Sequence, residues 1–194
     1  SEISTVEELE GHRVSVGEEE SGTKQNALQI LAAYGLNEKL VEEVSLNYTE
    51  AAKELENGSI DAFFCTAGAQ TAAIANLAQR TGIRFLNVDG AAAARLKKSY
   101  PVYDSCIIAA GTYPGQEEDV STVGVKAVLL ASDSVSAEVV EELTALLFEE
   151  QQELDFALPV ELITDADAAA DGISVPFHKG AERYYESRGE KSEN

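Results

Sequence analysis

The chain has 194 residues, 44% apolar and 7% aromatic, enough to bury the core of one domain or two small lobes and too apolar for a disordered chain. Its 35 acidic residues against 14 Lys and Arg leave a net charge of −21, which excludes the clustered cations of a nucleic-acid footprint. No apolar run approaches the roughly 20 residues that cross a bilayer, and as written no cationic leader with an apolar core opens the sequence.

In chain order, Arg13 to Val16 reads as a strand. Lys24 to Tyr34 reads as a helix with Ala27, Ile30, Leu31 and Tyr34 on one face, closed by Gly35 with Leu36 behind it. Val41 to Leu46 is strand-like, and Asn47 or Thr49 caps a helix over Glu50 to Glu56 that Gly58 ends. Ile60 to Cys65 makes a third strand, Ala69 to Arg80 a third helix stopped by Gly82, Ile83 to Val88 a fourth strand, and Ala91 to Lys98 a fourth helix. Such repeated βα units imply a mostly parallel, right-handed α/β sheet.

The pattern changes after Tyr100. Pro101 to Ala110 is extended, Gly111-Thr112-Tyr113-Pro114-Gly115 is turn chemistry, and Thr122 to Ala131 is a further strand. An amphipathic helix over Ala137 to Gln151 follows, with Ser136 as cap and Val139, Val140, Leu143, Leu146 and Leu147 at helical spacing. A last helix starts near Gly180.

In a parallel sheet every strand-to-helix turn lies on one edge, so small polar residues at those turns converge on one crevice. Here the turns carry Ser21-Gly22-Thr23, Asn47-Tyr48-Thr49, Thr66-Ala67-Gly68-Ala69-Gln70 and Asp89-Gly90. The first opens a helix with two hydroxyls and an unshielded backbone, which suits an anion at the positive end of the helix dipole and equally suits plain capping. It is no nucleotide loop: Gly17 and Gly22 have the spacing, but Thr23 and Lys24 stand in reversed order and three glutamates occupy the loop.

Other chemistry finds little support. Cys65 and Cys106 sit in apolar contexts and are read as buried thiols. With only His12 and His178 and no His/Cys cluster, neither a metal nor another cofactor is expected. His178 reads as structural, Asp165 and Asp167 as surface or capping residues, and no nucleophile stands beside a base, so no catalytic residue is assigned.

Several blocks resemble a known family. Val6 to Gly17 followed by Ser21-Gly22-Thr23 and Asn26 looks like the segment where two-lobed periplasmic binding proteins enter their second lobe. Ala62-Phe63-Phe64-Cys65-Thr66-Ala67-Gly68, Ala110 to Gln116, and Pro176-Phe177-His178-Lys179-Gly180 through Tyr185 are similar in order and spacing to blocks of the TAXI family, the receptors of tripartite ATP-independent periplasmic (TRAP) transporters. Lys179 departs from the proline more usual in that family.

The resemblance implies a type II periplasmic-binding-protein-like α/β fold in an extracytoplasmic receptor for a small organic anion or amino acid such as glutamate. It also implies a longer protein, with a signal peptide and the first half of lobe one ahead of this chain. On that reading residues 1–10 are the hinge entry, 11–106 the ligand-binding lobe two, and 107–194 the returning portion of lobe one with the C-terminal helices. With strands of lobe one missing on that reading, its uncovered apolar face is expected to pair, a homodimer being one outcome, to aggregate or to misorder. Carried over by position, Ser21, Thr23 and the backbone of Gly22 hold the anion with Asn26 in support; Thr66, Ala67, Gly68 and Gln70 line the facing turn; Tyr113 and Gln116 sit at the hinge side. Two rivals stay open: an enzyme on the same fold, for which Tyr48, Asp89 and Tyr113 are the residues near suitable turns, and an interaction module that binds nothing small.

Acidic residues are spread along the chain, as at Glu18-Glu19-Glu20 and Glu42-Glu43, so the charge describes a solvated surface. Abundant Glu and few Lys also suit folding in concentrated salt, where ions screen the self-repulsion that opposes compaction. The urea midpoint is accordingly expected to rise steadily as KCl is raised from low to molar concentration; a midpoint indifferent to salt would contradict this.

Overall fold

The structure, a computed structural model, describes residues 2–150 and 165–192. It divides into two compact units, Ser1–Lys126 and Ala127–Asn194.

In the first unit the chain runs through a 3-10 turn (Glu7–Leu9), β1 (Arg13–Ser15), α1 (Gly22–Ala33), β2 (Glu42–Val44), α2 (Tyr48–Glu56), β3 (Ala62–Phe63), α3 (Ala72–Arg80), α4 (Gly90–Ser99), β4 (Tyr103–Ile108) and β5 (Val120–Val125). The sheet order is β2-β1-β3 and both pairings are parallel, with Arg13 opposite Glu42 and Val14 opposite Ala62. This is the topology that βα repeats require, since each helix carries the chain back to the start of the next strand. Val14 on the central strand and Val16 just past its end are fully buried and share a core with Ala27 and Leu31 of α1, Leu96 of α4 and Tyr103.

Local chemistry explains the helix ends. After α1, Gly35 takes φ +82°, its N–H donates to Ala32 O at 3.0 Å and the Leu36 N–H reaches Leu31 O at 2.9 Å. That pair of bonds is the Schellman arrangement, and glycine supplies its left-handed residue. At α2 the Asn47 side chain accepts from Thr49 N and Glu50 N while Glu50 reaches back to Asn47 N, a complete capping box.

Four sequence expectations need correction in this unit. Residues 83–88 form no strand: β3 is only two residues long, and the segment instead bonds sideways to β5 through Val88 N to Ser121 O at 2.9 Å. The strand expected over Thr122 to Ala131 begins at Val120 and stops at Val125, because its antiparallel partner β4 begins only at Tyr103, opposite Val125, and offers nothing beyond it to pair with. Gly82 is not a left-handed stop for α3, which ends at Thr81 in extended conformation. Cys106 is exposed, since the middle of the two-stranded β4–β5 ribbon has little packed on it, and Cys65 is half-buried.

The second unit contains α5 (Ala137–Glu149), α6 (Ala166–Ala170) and α7 (Lys179–Ser192). Gln151, read as the end of the amphipathic helix, lies outside the described residues. Ser136 caps α5, accepting from Val139 N at 3.4 Å. The expected apolar face of α5 is split: Val140 is buried with Thr144, whereas Val139, Leu143 and Leu146 are exposed. α7 covers the Val140 side of α5, where Gly180 comes up against Val140 and Glu141, and it brings Tyr184 against Phe148 with ring centroids 5.6 Å apart. Asp165 accepts from Ala168 N at 3.0 Å and His178 Nδ1 from Gly180 N at 3.2 Å, so both cap helix starts.

Gly180 lets α7 lie close against the first turn of α5. A Cβ there would meet Ala137 O, and would stand 2.7 Å from Glu141 N and 2.8 Å from Val140 Cβ, mostly backbone that cannot yield cheaply. Gly180→Ala is expected to cost about 2 kcal/mol or more by overpacking, while Gly82→Ala, whose Cβ would enter open space at ordinary φ, leaves the urea midpoint nearly unchanged. Equal midpoints for the two variants would contradict this packing.

Candidate functional site

The carboxyl ends of β1, β2 and β3 open on one edge of the sheet, and Gly17 shapes the first turn there. Its φ is +100°, and a Cβ would lie 2.8 Å from Thr23 Cγ2 and 3.1 Å from Lys24 N. Only glycine lets β1 end directly beneath the first turn of α1. Ser21 is the N-cap, accepting from Lys24 N at 3.1 Å, so the capping half of the sequence reading describes what its hydroxyl oxygen does. Gly22 is exposed, and the first-turn amides of Gly22 and Thr23 precede the helical ladder at the positive end of its dipole.

From Thr23 a hydrogen-bond chain crosses three turns. Thr23 is only 6% exposed, and its Oγ1 lies 2.7 Å from the Tyr48 hydroxyl at the start of α2. Tyr48 donates to the Thr66 carbonyl at 2.8 Å. A carbonyl has no proton to give, so the phenol spends its one proton there and Thr23 donates to Tyr48. Asn26, one turn along α1, donates from Nδ2 to Thr66 Oγ1 at 3.1 Å. The Tyr103 phenol lies 2.7 Å from both Asn26 Oδ1 and Gln29 Oε1, and with one proton it serves them one at a time. Burial, and to a lesser degree neighbouring Tyr100, holds that phenol above its usual pKa, so it remains protonated at neutral pH.

The Thr23 hydroxyl is committed to Tyr48, so what Thr23 has to offer an anion is its backbone amide. Thr66 accepts from Asn26 and keeps its own proton, on an exposed residue. Ala67 and Gln70 are exposed in the same turn, Gln70 at φ +63°, and the Gly68 carbonyl accepts from Thr71 Oγ1 at 2.6 Å.

Tyr113 and Gln116 belong to the turn between β4 and β5. Tyr113, 4% exposed and stacked on Phe85, accepts through its hydroxyl from Thr71 N at 3.1 Å, which fastens that turn to the head of α3. The Gln116 amide donates to the carbonyls of Ile108 at 3.0 Å, Ala109 at 3.0 Å and Glu118 at 3.1 Å. Its side chain is thus occupied in closing its own loop. The structure joins Asn26 to Thr66 directly, Thr23 to Thr66 through Tyr48, and Gly68 to Tyr113 through Thr71.

Other groups near this edge were not marked as ligand residues by sequence. Tyr48 is visible in its turn but ambiguous in role; Tyr103 comes to Asn26 and Gln29 across more than 70 residues, with no local signal. Lys24 Nζ pairs with Glu19 Oε1 at 2.6 Å, and Ser45 Oγ donates to the same carboxylate oxygen at 2.6 Å. The Lys24 bond foremost, then Ser45, lowers the Glu19 pKa. The thiol of Cys65, just past β3, is pushed up to about 11 by burial, so it stays protonated and unreactive at neutral pH.

Elsewhere, a groove in the second unit is lined by Glu138, Glu141, Glu142 and Glu149 with Tyr184 and Arg188. Its four carboxylates make it a poor seat for an anion. Among the described residues no group of three or more His, Cys, Asp or Glu is placed to hold a metal ion, and no helix is long and apolar enough to cross a membrane.

The mixed α/β arrangement, a parallel sheet with helices whose strand-end turns gather on one edge, is periplasmic-binding-protein-like. The family model of the NMT1-like family matches residues 1–189, and the chain belongs to that family, one of extracytoplasmic solute-binding proteins.

Removing the Tyr48 hydroxyl leaves Thr23 and the Thr66 carbonyl without their shared partner. Tyr48→Phe is expected to lower the unfolding free energy by about 1–2 kcal/mol, the usual effect of stranding a part-buried polar group. Urea titration checks it, and an unchanged midpoint would contradict the bridging role.

Proposed function

We propose that the chain is the receptor for a small carboxylate-bearing solute, a glutamate-like amino acid or organic acid, which it delivers to a TRAP-type membrane transporter. The observation that carries this reading is the continuous network Thr23–Tyr48–Thr66–Asn26–Tyr103 beside the open amino end of α1. Such a network holds three turns rigid in advance, so an incoming carboxylate meets backbone amides of Gly22 and Thr23 and the free proton of Thr66 without first having to order them. The similarity of the blocks around Ala62 to Gly68, Ala110 to Gln116 and Pro176 to Tyr185 to the TAXI receptors supports the transporter partner.

No bond is made or broken on this account. The Tyr113 phenol is engaged with Thr71 and the Tyr48 phenol with Thr23 and Thr66, which supports a structural duty for two of the side chains that an enzyme on this fold would call on. Concentrated salt would screen the −21 charge that otherwise keeps an anionic solute away, which ties the acidic surface to the same role.

Titration calorimetry with L-glutamate, succinate and their amides is the test. One carboxylate is expected to bind with a single site, to leave the solute chemically intact and to raise stability by about 2.7 kcal/mol at a hundredfold excess over Kd, with its amide at least about tenfold weaker because the charge is lost. Absence of heat from every carboxylate, or conversion of the solute, would overturn the proposal.

A further inference from the structure

The loop ahead of α1 holds a carboxylate of its own against the site's cation. Lys24 stands in the first turn of α1, next to Thr23, and its side chain is 22% exposed, whereas that of its partner Glu19 is 71% exposed. Glu19 Oε1 receives both Lys24 Nζ and Ser45 Oγ, each at 2.6 Å. Lys24 Nζ also lies 3.4 Å from Ser45 Oγ, so ammonium, hydroxyl and carboxylate form a closed triangle. Ser45 directly follows β2 and Glu19 follows β1, which places the triangle on the same carboxyl edge as the Thr23–Tyr48 pair.

We propose that Glu19 is an intramolecular stand-in for the solute's carboxylate: it neutralises Lys24 while the site is empty and is displaced when a solute carboxylate takes its place on Lys24 Nζ and Ser45 Oγ. The inference rests on the receptor reading above and adds a specificity residue, Lys24, with a built-in competitor. Its physical basis is the asymmetry of the pair. A largely covered cation needs a counter-anion at all times, because an unpaired charge away from water is costly. A carboxylate that is mostly in solvent leaves at little cost, since exposed ion pairs contribute little. The exchange is therefore near balance, and the solute wins through the additional donors at Gly22, Thr23 and Thr66. It also gives a reason for an acidic loop at an anion site: of Glu18, Glu19 and Glu20, the paired one keeps Lys24 in position and sets a threshold that weak monovalent anions do not pass.

Calorimetry of the full chain with L-glutamate and succinate at fixed ionic strength reads this out in four variants. Glu19→Gln is expected to tighten binding about two- to fivefold, the range that loss of an exposed competing pair allows. Lys24→Gln weakens binding, and in the Lys24→Gln background the Glu19→Gln gain disappears. Glu18→Gln, which removes an equal charge from the same loop, gives a smaller gain that fades with added salt. If the wild type binds a carboxylate but Glu19→Gln changes nothing, gains as much without Lys24, or is matched by Glu18→Gln, the stand-in is overturned and the receptor reading survives. If neither the wild type nor Glu19→Gln binds any carboxylate, both fall.

Discussion

A single phenolic hydroxyl ties the candidate site together. Tyr48 has one proton and two lone pairs, and it uses them on the Thr66 carbonyl and the Thr23 hydroxyl. Through those two bonds the first turn of α1, the start of α2 and the turn after β3 become one rigid edge, although they are up to 43 residues apart in the chain, counting from Thr23 to Thr66 (66 minus 23). The arrangement depends on Gly17, whose left-handed conformation lets Thr23 descend far enough to meet Tyr48. Rigidity of this kind reduces the ordering that a small solute would have to impose when it binds.

Electrostatics then sets the tone of the edge. The chain as a whole repels anions, and the loop between β1 and α1 is locally acidic as well. What favours negative charge is short-ranged: the amino end of α1, the half-buried Lys24 and the hydroxyls of Ser45 and Thr66. The helix end acts within a single turn, inside the screening length, whereas repulsion from the diffuse surface charge acts over longer distances and is damped first by salt. High ionic strength therefore removes more of the repulsion than of the attraction, and the acidic surface is compatible with an anionic solute.

How much of this was legible in sequence follows from range. The Gly35 end of α1 and a cap for α2 at Asn47 or Thr49 were readable because each is decided by residues within one turn of one another, and the parallel sheet followed from the repeated βα order, which leaves the chain little choice of connection. Elements whose existence depends on a distant partner were not. Residues 83–88 have strand composition but no strand to join, the strand after Gly115 ends where β4 runs out, and α5 turns toward α7 with Val140 and Thr144 while leaving much of its apolar stripe uncovered. The site divides in the same way: the turn residues Thr23 and Thr66 could be placed on one edge from topology alone, but the bonds from Tyr103 to Asn26 and Gln29 and the Glu19–Lys24–Ser45 triangle are tertiary. Gln116, equally polar and equally close to a turn, is engaged within its own loop.

The central claim is that negative charge is received at the amino end of α1. The most direct measurement is an amide chemical-shift titration of the isotopically labelled chain with L-glutamate and succinate. The account predicts saturable shifts for the Gly22 and Thr23 amides, with Thr66 moving in parallel at the same Kd. Saturable shifts confined to the α5 and α7 helices, with Gly22 and Thr23 unmoved, would contradict it.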